Sequence, residues 1–170
     1  GRTYQVPIND NGLNALHGGP GGFDRVLWRV VAVEEGATAR VTLALGSPDG
    51  DQGFPGTLDA EVTYSLDMLG ALTITMTATT DRPTIVNMTN HAVFNLAGEG
   101  APGGATGHRL VIAASAFVPV DAALIPTGEL RPVAGTPFDF RHGRTLEQSV
   151  RDGRDEQIAY GCGYDHNFAL

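Results

Sequence analysis

Lysine is missing from this 170-residue sequence, and all 11 of its side-chain cations are arginine. That absence excludes a Schiff-base lysine or a phosphate-loop lysine anywhere in the stretch. Positive charge is scarce altogether: the formal net charge is −8. Nucleic acid, whose phosphates demand clustered cations, is therefore not an expected partner. There is a single cysteine, Cys162, so neither an internal disulfide nor a CxxC zinc framework can form. A lone cysteine inclines the chain toward a cytoplasmic setting. No apolar run approaches the roughly 20 residues of a membrane-spanning helix, so no membrane partner is expected. The opening Gly1-Arg2-Thr3-Tyr4 shows neither the basic start nor the apolar stretch of a signal peptide. It also lacks an initiator methionine, which leaves the question of a leader open.

What is present is globular in character, at 42% hydrophobic and 18% charged residues. A chain of this length makes about one domain and buries roughly 70% of its unfolded surface. With 23 glycines and 10 prolines, beside many Thr and Val, short strands and turns are favoured over long helices. Leu72 to Thr79 alternates apolar and polar residues, as a half-buried strand does. Ala60 to Leu69 offers a second strand with Val62, Tyr64 and Leu66 on one face. Between these two, Asp67-Met68-Leu69-Gly70 reads as a hairpin turn. Further strands are expected at Arg25–Val33, Ala39–Leu45, Thr84–Met88, Arg109–Ala113 and Ala116–Val120. No window carries a clear helical stripe. The best helical candidate is a short turn at Thr145–Val150, with Thr145 and Gln148 placed for a capping box. The polar, glycine-rich stretches Gly46–Gly56 and Ala97–Gly107 read as surface loops. A single all-β unit, a sandwich or a barrel, is the expected architecture.

Five histidines supply the chemistry most readily exchanged near neutral pH: His17, His91, His108, His142 and His166. No pair has zincin spacing and no metal is expected. His17 is followed by glycines at 18, 19, 21 and 22, a backbone able to approach a ligand closely. A loop histidine satisfying turn carbonyls explains it equally well. Asn90, His91 and Asn95 interrupt the apolar segment after the Thr84–Met88 strand. They either form a buried polar network or face a cleft. Gly163-Tyr164-Asp165-His166 combines a ring and a carboxylate, which suits sugar recognition, though a tight turn into a last strand accounts for it too. Cys162 has nothing nearby that would clearly activate it as a nucleophile. Arg141, Arg144, Arg151 and Arg154 are interspersed with Asp152, Asp155 and Glu156, the pattern of a solvated mixed-charge face.

Together the motifs are more specific than any one of them. Asn14-Ala15-Leu16-His17-Gly18-Gly19, Gly22-Phe23-Asp24, Thr89-Asn90-His91 and Phe94-Asn95-Leu96 come first. Val118-Pro119-Val120, Ile125-Pro126-Thr127-Gly128-Glu129, Thr136-Pro137-Phe138-Asp139-Phe140-Arg141 and Gly163-Tyr164-Asp165-His166-Asn167-Phe168 follow. In this order the sequence resembles the aldose 1-epimerase (galactose mutarotase) family over nearly its whole length.

The resemblance implies an all-β, galactose mutarotase-like β-sandwich (supersandwich), present as a fragment: one domain, 1–170, incomplete at both ends. It implies interconversion of the α and β anomers of a free aldose such as galactose or glucose, through ring opening and without a cofactor. His91 matches the family's general acid. His17 matches a histidine that assists near the ring oxygen and anomeric centre, and Asp165 a carboxylate that holds sugar hydroxyls. His108, His142 and His166 match no catalytic position. The family's general base is a Glu expected beyond Leu170, and a sugar-binding Asn-Arg pair is expected before Gly1. Ala92 and Val93 stand where the family usually has a hydroxyl residue and an aromatic. A non-catalytic sugar-binding module of the same fold, or an epimerase of phosphorylated hexoses, are the alternatives. The oligomeric state is not legible.

Overall fold

A computed structural model describes residues 1–170, which divide into two compact units, Gly1–His91 and Ala92–Leu170. The first is built on a four-stranded antiparallel meander: β1 (Arg29–Glu34), β2 (Thr38–Ser47), β3 (Leu58–Asp67) and β4 (Leu72–Thr80), in that order across the sheet. Alternation in the sequence fixes the faces. Leu43, Val62 and Met76 align in register, as do Val41, Tyr64 and Ile74 on the same side. That face is mainly apolar, with Ser47 and Thr80 flanking Leu58 at its end. The opposite face carries Thr42, Thr63 and Thr75 in one row and Glu61 beside Thr77 in the next. Thr42 and Thr63 are hydrogen-bonded through their hydroxyls at 3.0 Å, a cross-strand pair that helps hold the register. The β3–β4 hairpin turns where expected. Gly70 N–H donates to Asp67 O, and the Asp67 carboxylate accepts from the amides of Leu69 and Ala71 at 2.9 Å each. Along β1 the pairing shifts between Val30 and Ala32, a bulge on an edge strand.

Two expectations fail in this unit. Thr84–Met88 forms no strand. Pro83, which cannot donate to a ladder, follows directly on the turn Asp81–Arg82. Its segment then runs extended as a wall rather than as a paired strand. The Gly46–Gly56 loop is not a plain surface excursion either. It contains a 3-10 turn, Asp51–Gly53, and residues 51–56 are half-buried or buried.

The second unit is organised differently. Its strands are short: β5 (Arg109–Leu110), β6 (Ala116–Val118), β7 (Arg131–Pro132), β8 (Arg144–Thr145) and β9 (Asn167–Ala169). β5 pairs with β8, and β6 lies between β7 and β9. The core is aromatic and aliphatic: Phe117, Val133, Phe138 and Ile158 are buried, with Tyr164 and Phe168 packed against them. Phe117 and Phe138 stack with centroids 4.2 Å apart and planes 12° apart, an arrangement that adds to the area the rings bury. The expected helix at Thr145–Val150 is a single 3-10 turn, Leu146–Gln148, and Thr145 makes no capping bond. One short helix does occur, α1 (Glu156–Tyr160), which the sequence pattern did not reveal. The Asp155 carboxylate caps it, accepting from the amides of Gln157 and Ile158. Five residues are too few for a helical stripe to show. Apart from that helix the secondary structure is strand and turn, as an all-β chain requires.

Candidate active site

His17 is placed by local hydrogen bonding. Asp10 and Asn14 form a bridge, and Asn9 grips the next residues. The Asn9 side chain accepts from Leu16 N–H at 2.7 Å and donates to Leu16 O at 3.1 Å. That double contact pins the residue immediately before His17. His17 itself takes a left-handed backbone, φ 52, unusual for a side chain with a Cβ. The glycines after it have a steric purpose. A Cβ on Gly22 would collide with the carbonyl oxygen of His17, so the loop closes this tightly only with glycine there.

His91 lies at the end of the unpaired segment that follows β4. Its neighbour Asn90 donates from Nδ2 to the Tyr64 hydroxyl at 3.3 Å, tying the segment to the apolar face of the sheet. The two histidine rings meet edge to face, with centroids 5.3 Å apart and planes 69° apart. Both residues are solvent-exposed. No grouping of three His, Cys, Asp or Glu side chains suited to a metal ion surrounds them.

Beside the pair lies a cleft of about 870 Å³, within the roughly 300–1,000 Å³ of small-molecule sites. Its floor is the apolar sheet face, with Leu43, Leu58, Val62 and Met76. Trp28 and Phe54 also line it. Trp28 donates from Nε1 to Phe23 O at 2.9 Å and meets the Phe23 ring edge to face at 6.0 Å. An apolar base with imidazoles and amides at its edge is suited to a ligand with one hydrophobic side and several hydroxyls. Two carboxylates reach the cleft, Asp24 and Asp51. Asp24 lies 3.8 Å from Arg25. Asp51 accepts from Ser47 Oγ at 2.8 Å and from Gln52 Nε2 at 3.3 Å. Gln52, Trp28 and Phe54 had escaped the reading of the sequence, because nothing local marks a loop glutamine or a lone ring as part of a pocket.

Asp165 belongs to the second unit, exposed on the turn before β9. Its amide donates to His166 Nδ1 at 3.2 Å. His166 is a structural residue: it is half-buried, bonds Gln157 Oε1 through Nε2 at 3.1 Å, and packs edge-on against Phe117 and Phe138. Burial pushes its pKa below the ordinary value, with Asp165 and Asp155 acting in the opposite sense. In the arginine run three of the four guanidiniums are engaged within the chain. Arg141 grips Asp139 with two hydrogen bonds of 2.8 Å, and Arg154 does the same to Asp152. Those bonds hold both carboxyls down at about 2. Arg144 turns inward to Pro137 O and Ser149 Oγ.

Known proteins resemble this chain along its entire length. The family model described as Aldose 1-epimerase matches residues 1–170. A galactose mutarotase of Sus scrofa is 45% identical over 170 residues, all of this chain and 46% of that protein. An aldose 1-epimerase of Escherichia coli (strain K12) is 45% identical over 159 residues, 94% of this chain and 44% of that protein. A galactose 1-epimerase structure from Lactobacillus acidophilus NCFM superposes with a TM-score of 0.88 at 36% identity, covering 98% of this chain and 48% of its own. The chain thus spans about half the length of the curated relatives it matches. Since one family model runs without a break through both units and includes the paired histidines, the chain belongs to the aldose 1-epimerase family.

Proposed function

We propose that this chain contributes the acid side of an aldose 1-epimerase that interconverts the α and β anomers of free galactose or glucose. One observation carries the reading: His17 and His91 stand with ring centroids 5.3 Å apart beside an apolar-floored cleft. His91 is the general acid. As a base removes the proton from the anomeric hydroxyl, that oxygen's electrons form the carbonyl and the C1–O5 bond breaks. O5 takes its proton from His91. Rotation about C1–C2 presents the other carbonyl face, O5 adds back as its proton returns to His91, and the base gives its proton to O1. Both groups must therefore work near their own pKa. His17 hydrogen-bonds the sugar near the ring oxygen and anomeric centre, and Asp165 holds sugar hydroxyls.

Asp51 is engaged by Ser47 and Gln52, and Asp24 lies beside Arg25. The family resemblance assigns the base to a glutamate outside residues 1–170. Residues 1–170 are taken as part of one epimerase domain. Exposed Cys162 fits a reducing, cytoplasmic environment.

Polarimetry of freshly dissolved α-D-galactose and α-D-glucose tests the reading, using this chain and the product of the full coding sequence that contains it. The longer protein is expected to accelerate mutarotation and the 170-residue chain to fall short of it. In the longer protein His91→Gln should cost about 10²–10⁴-fold in kcat. Sugar binding without any mutarotation by the longer protein would replace the enzyme with a binding module.

A further inference from the structure

Gln52 shares two features with His17: a left-handed backbone, φ 46, and a place on the wall of the same cleft. Non-glycine residues hold that conformation only where their surroundings over-determine it. For Gln52 the surroundings are the His17 loop itself. Its Oε1 accepts from Gly21 N–H at 3.1 Å, and its Nε2 donates to Asp51 Oδ1 at 3.3 Å. Asp51 Oδ2 in turn accepts from Ser47 Oγ, the last residue of β2, at 2.8 Å. The amide orientation is settled by this pair of partners, since the carbonyl faces a donor and the NH₂ faces a carboxylate.

Packing adds to the bonding. A Cβ on Gly19 would lie 2.7 Å from Gln52 Oε1, and one on Gly21 would lie 2.7 Å from Nε2. The end of the Gln52 side chain thus occupies the space beside two of the four glycines after His17. A continuous path runs from the rigid sheet through Ser47, Asp51 and Gln52 to the loop that carries His17.

We propose that Gln52 is a positioning residue that sets the His17 loop, and with it His17, in register with His91 for sugar. This rests on the reading of the two histidines as the sugar site. Displacements on the scale of 1 Å at such a site are able to cost about 10²-fold.

The test uses three variants of the product of the full coding sequence, with kcat, KM, Tm and hydrogen exchange at Gly21 measured for each. Gln52→Gly accepts the left-handed backbone without strain but deletes the wedge and the acceptor. Gln52→Met keeps the bulk and deletes the acceptor. The double variant Asp51→Asn/Gln52→Glu keeps an acceptor for Gly21 N–H and reverses the contact between positions 51 and 52, so that an amide donates to a carboxylate and two carboxylates are not opposed. Expected are a tenfold or larger fall in kcat/KM for Gln52→Gly without a fall in Tm, a similar fall for Gln52→Met, and recovery to within about threefold for the double variant. A glutamine that mattered only for folding would lower Tm and spare kcat. Should Gln52→Gly not fold, Gln52→Met against the double variant gives the same comparison. Activity within twofold of the parent in Gln52→Met, or an equal loss in the double variant, overturns the proposal. If the parent protein shows no mutarotation, the functional reading fails separately. Gly21 exchange then decides the point, because unchanged exchange in Gln52→Gly and Gln52→Met removes the positioning role, whereas tenfold faster exchange restored in the double variant upholds it.

Discussion

The two units reach order by opposite routes. Gly1–His91 has strands of up to ten residues and a regular hydrogen-bonded ladder, yet its buried hydrophobic residues are only Leu58, Ala60 and Val62. Part of its apolar face, including Leu43, Leu58, Val62 and Met76, lines an open cleft. Ala92–Leu170 has strands of two or three residues but buries Phe117, Val133, Phe138, Phe140 and Ile158 almost completely. Backbone pairing organises the first unit, and side-chain interlocking organises the second. The unit that carries the histidine pair is the one that buries fewer large side chains.

Substitutions in the two cores test that contrast most directly. Phe138 is 1% exposed, stacks on Phe117, and meets Tyr164 and His166 edge-on. Phe138→Ala should cost about 3–5 kcal/mol, the usual range for a buried ring. Val62→Ala in the sheet should cost about 1.5 kcal/mol, from roughly 0.8 kcal/mol per buried carbon lost. Amide hydrogen exchange resolves the two units separately. Equal effects, or a larger one at Val62, would show that packing is not what holds the second unit.

The next effect is polar. Gln157 is buried and forms a two-way bond with the backbone of Val120, accepting from N–H at 2.7 Å and donating to O at 3.0 Å. Gln157→Leu fills the space but strands two buried backbone groups. A loss of about 1–3 kcal/mol is expected by chemical denaturation. A neutral result would mean that Val120 finds other partners and that the bond is incidental.

The same contrast explains what the sequence makes legible. Period-two alternation in Leu72–Thr79 and the Asp67–Gly70 turn are local signals, and the β3–β4 hairpin follows from them. In the second unit order comes from contacts such as Gln157 with Val120, 37 residues apart, and no local pattern records these. α1 is not legible because five residues are too few to show a helical stripe. Thr84–Met88 was misassigned because its apolar residues suit a strand, whereas Pro83 and the absence of a pairing partner leave it as a wall. The candidate site was partly legible through the glycine-flanked His17 and the Asn90-His91 pair. Its supports were not: Gln52 meets Gly21 across 31 positions, a contact made only by the fold.

The smallest expected effect tests how the second unit tolerates acid. His166 Nδ1 accepts from the Asp165 amide, so its proton sits on Nε2, which donates to Gln157 Oε1 at 3.1 Å. The ring is therefore neutral when folded, and burial holds its pKa below the ordinary 6.5. Asp165 and Asp155 oppose that shift without reversing it. Below pH 6.5 the unfolded chain binds a proton that the folded chain resists, so stability falls as pH drops through 6.5 toward the folded pKa. It is fully present above that window. Protonation also removes the acceptor for Asp165 N–H, so acid should loosen the turn that carries the carboxylate proposed to hold sugar hydroxyls. Unfolding free energies measured between pH 5 and 8 should show this slope in the parent and a flatter one in His166→Gln. Exchange at the Asp165 amide should rise over the same interval, beyond the intrinsic pH dependence, in the parent alone. Parallel slopes in the two proteins would mean that His166 titrates alike folded and unfolded, and that the Asp165 turn is held by packing against Phe117 and Phe138 instead of by the imidazole.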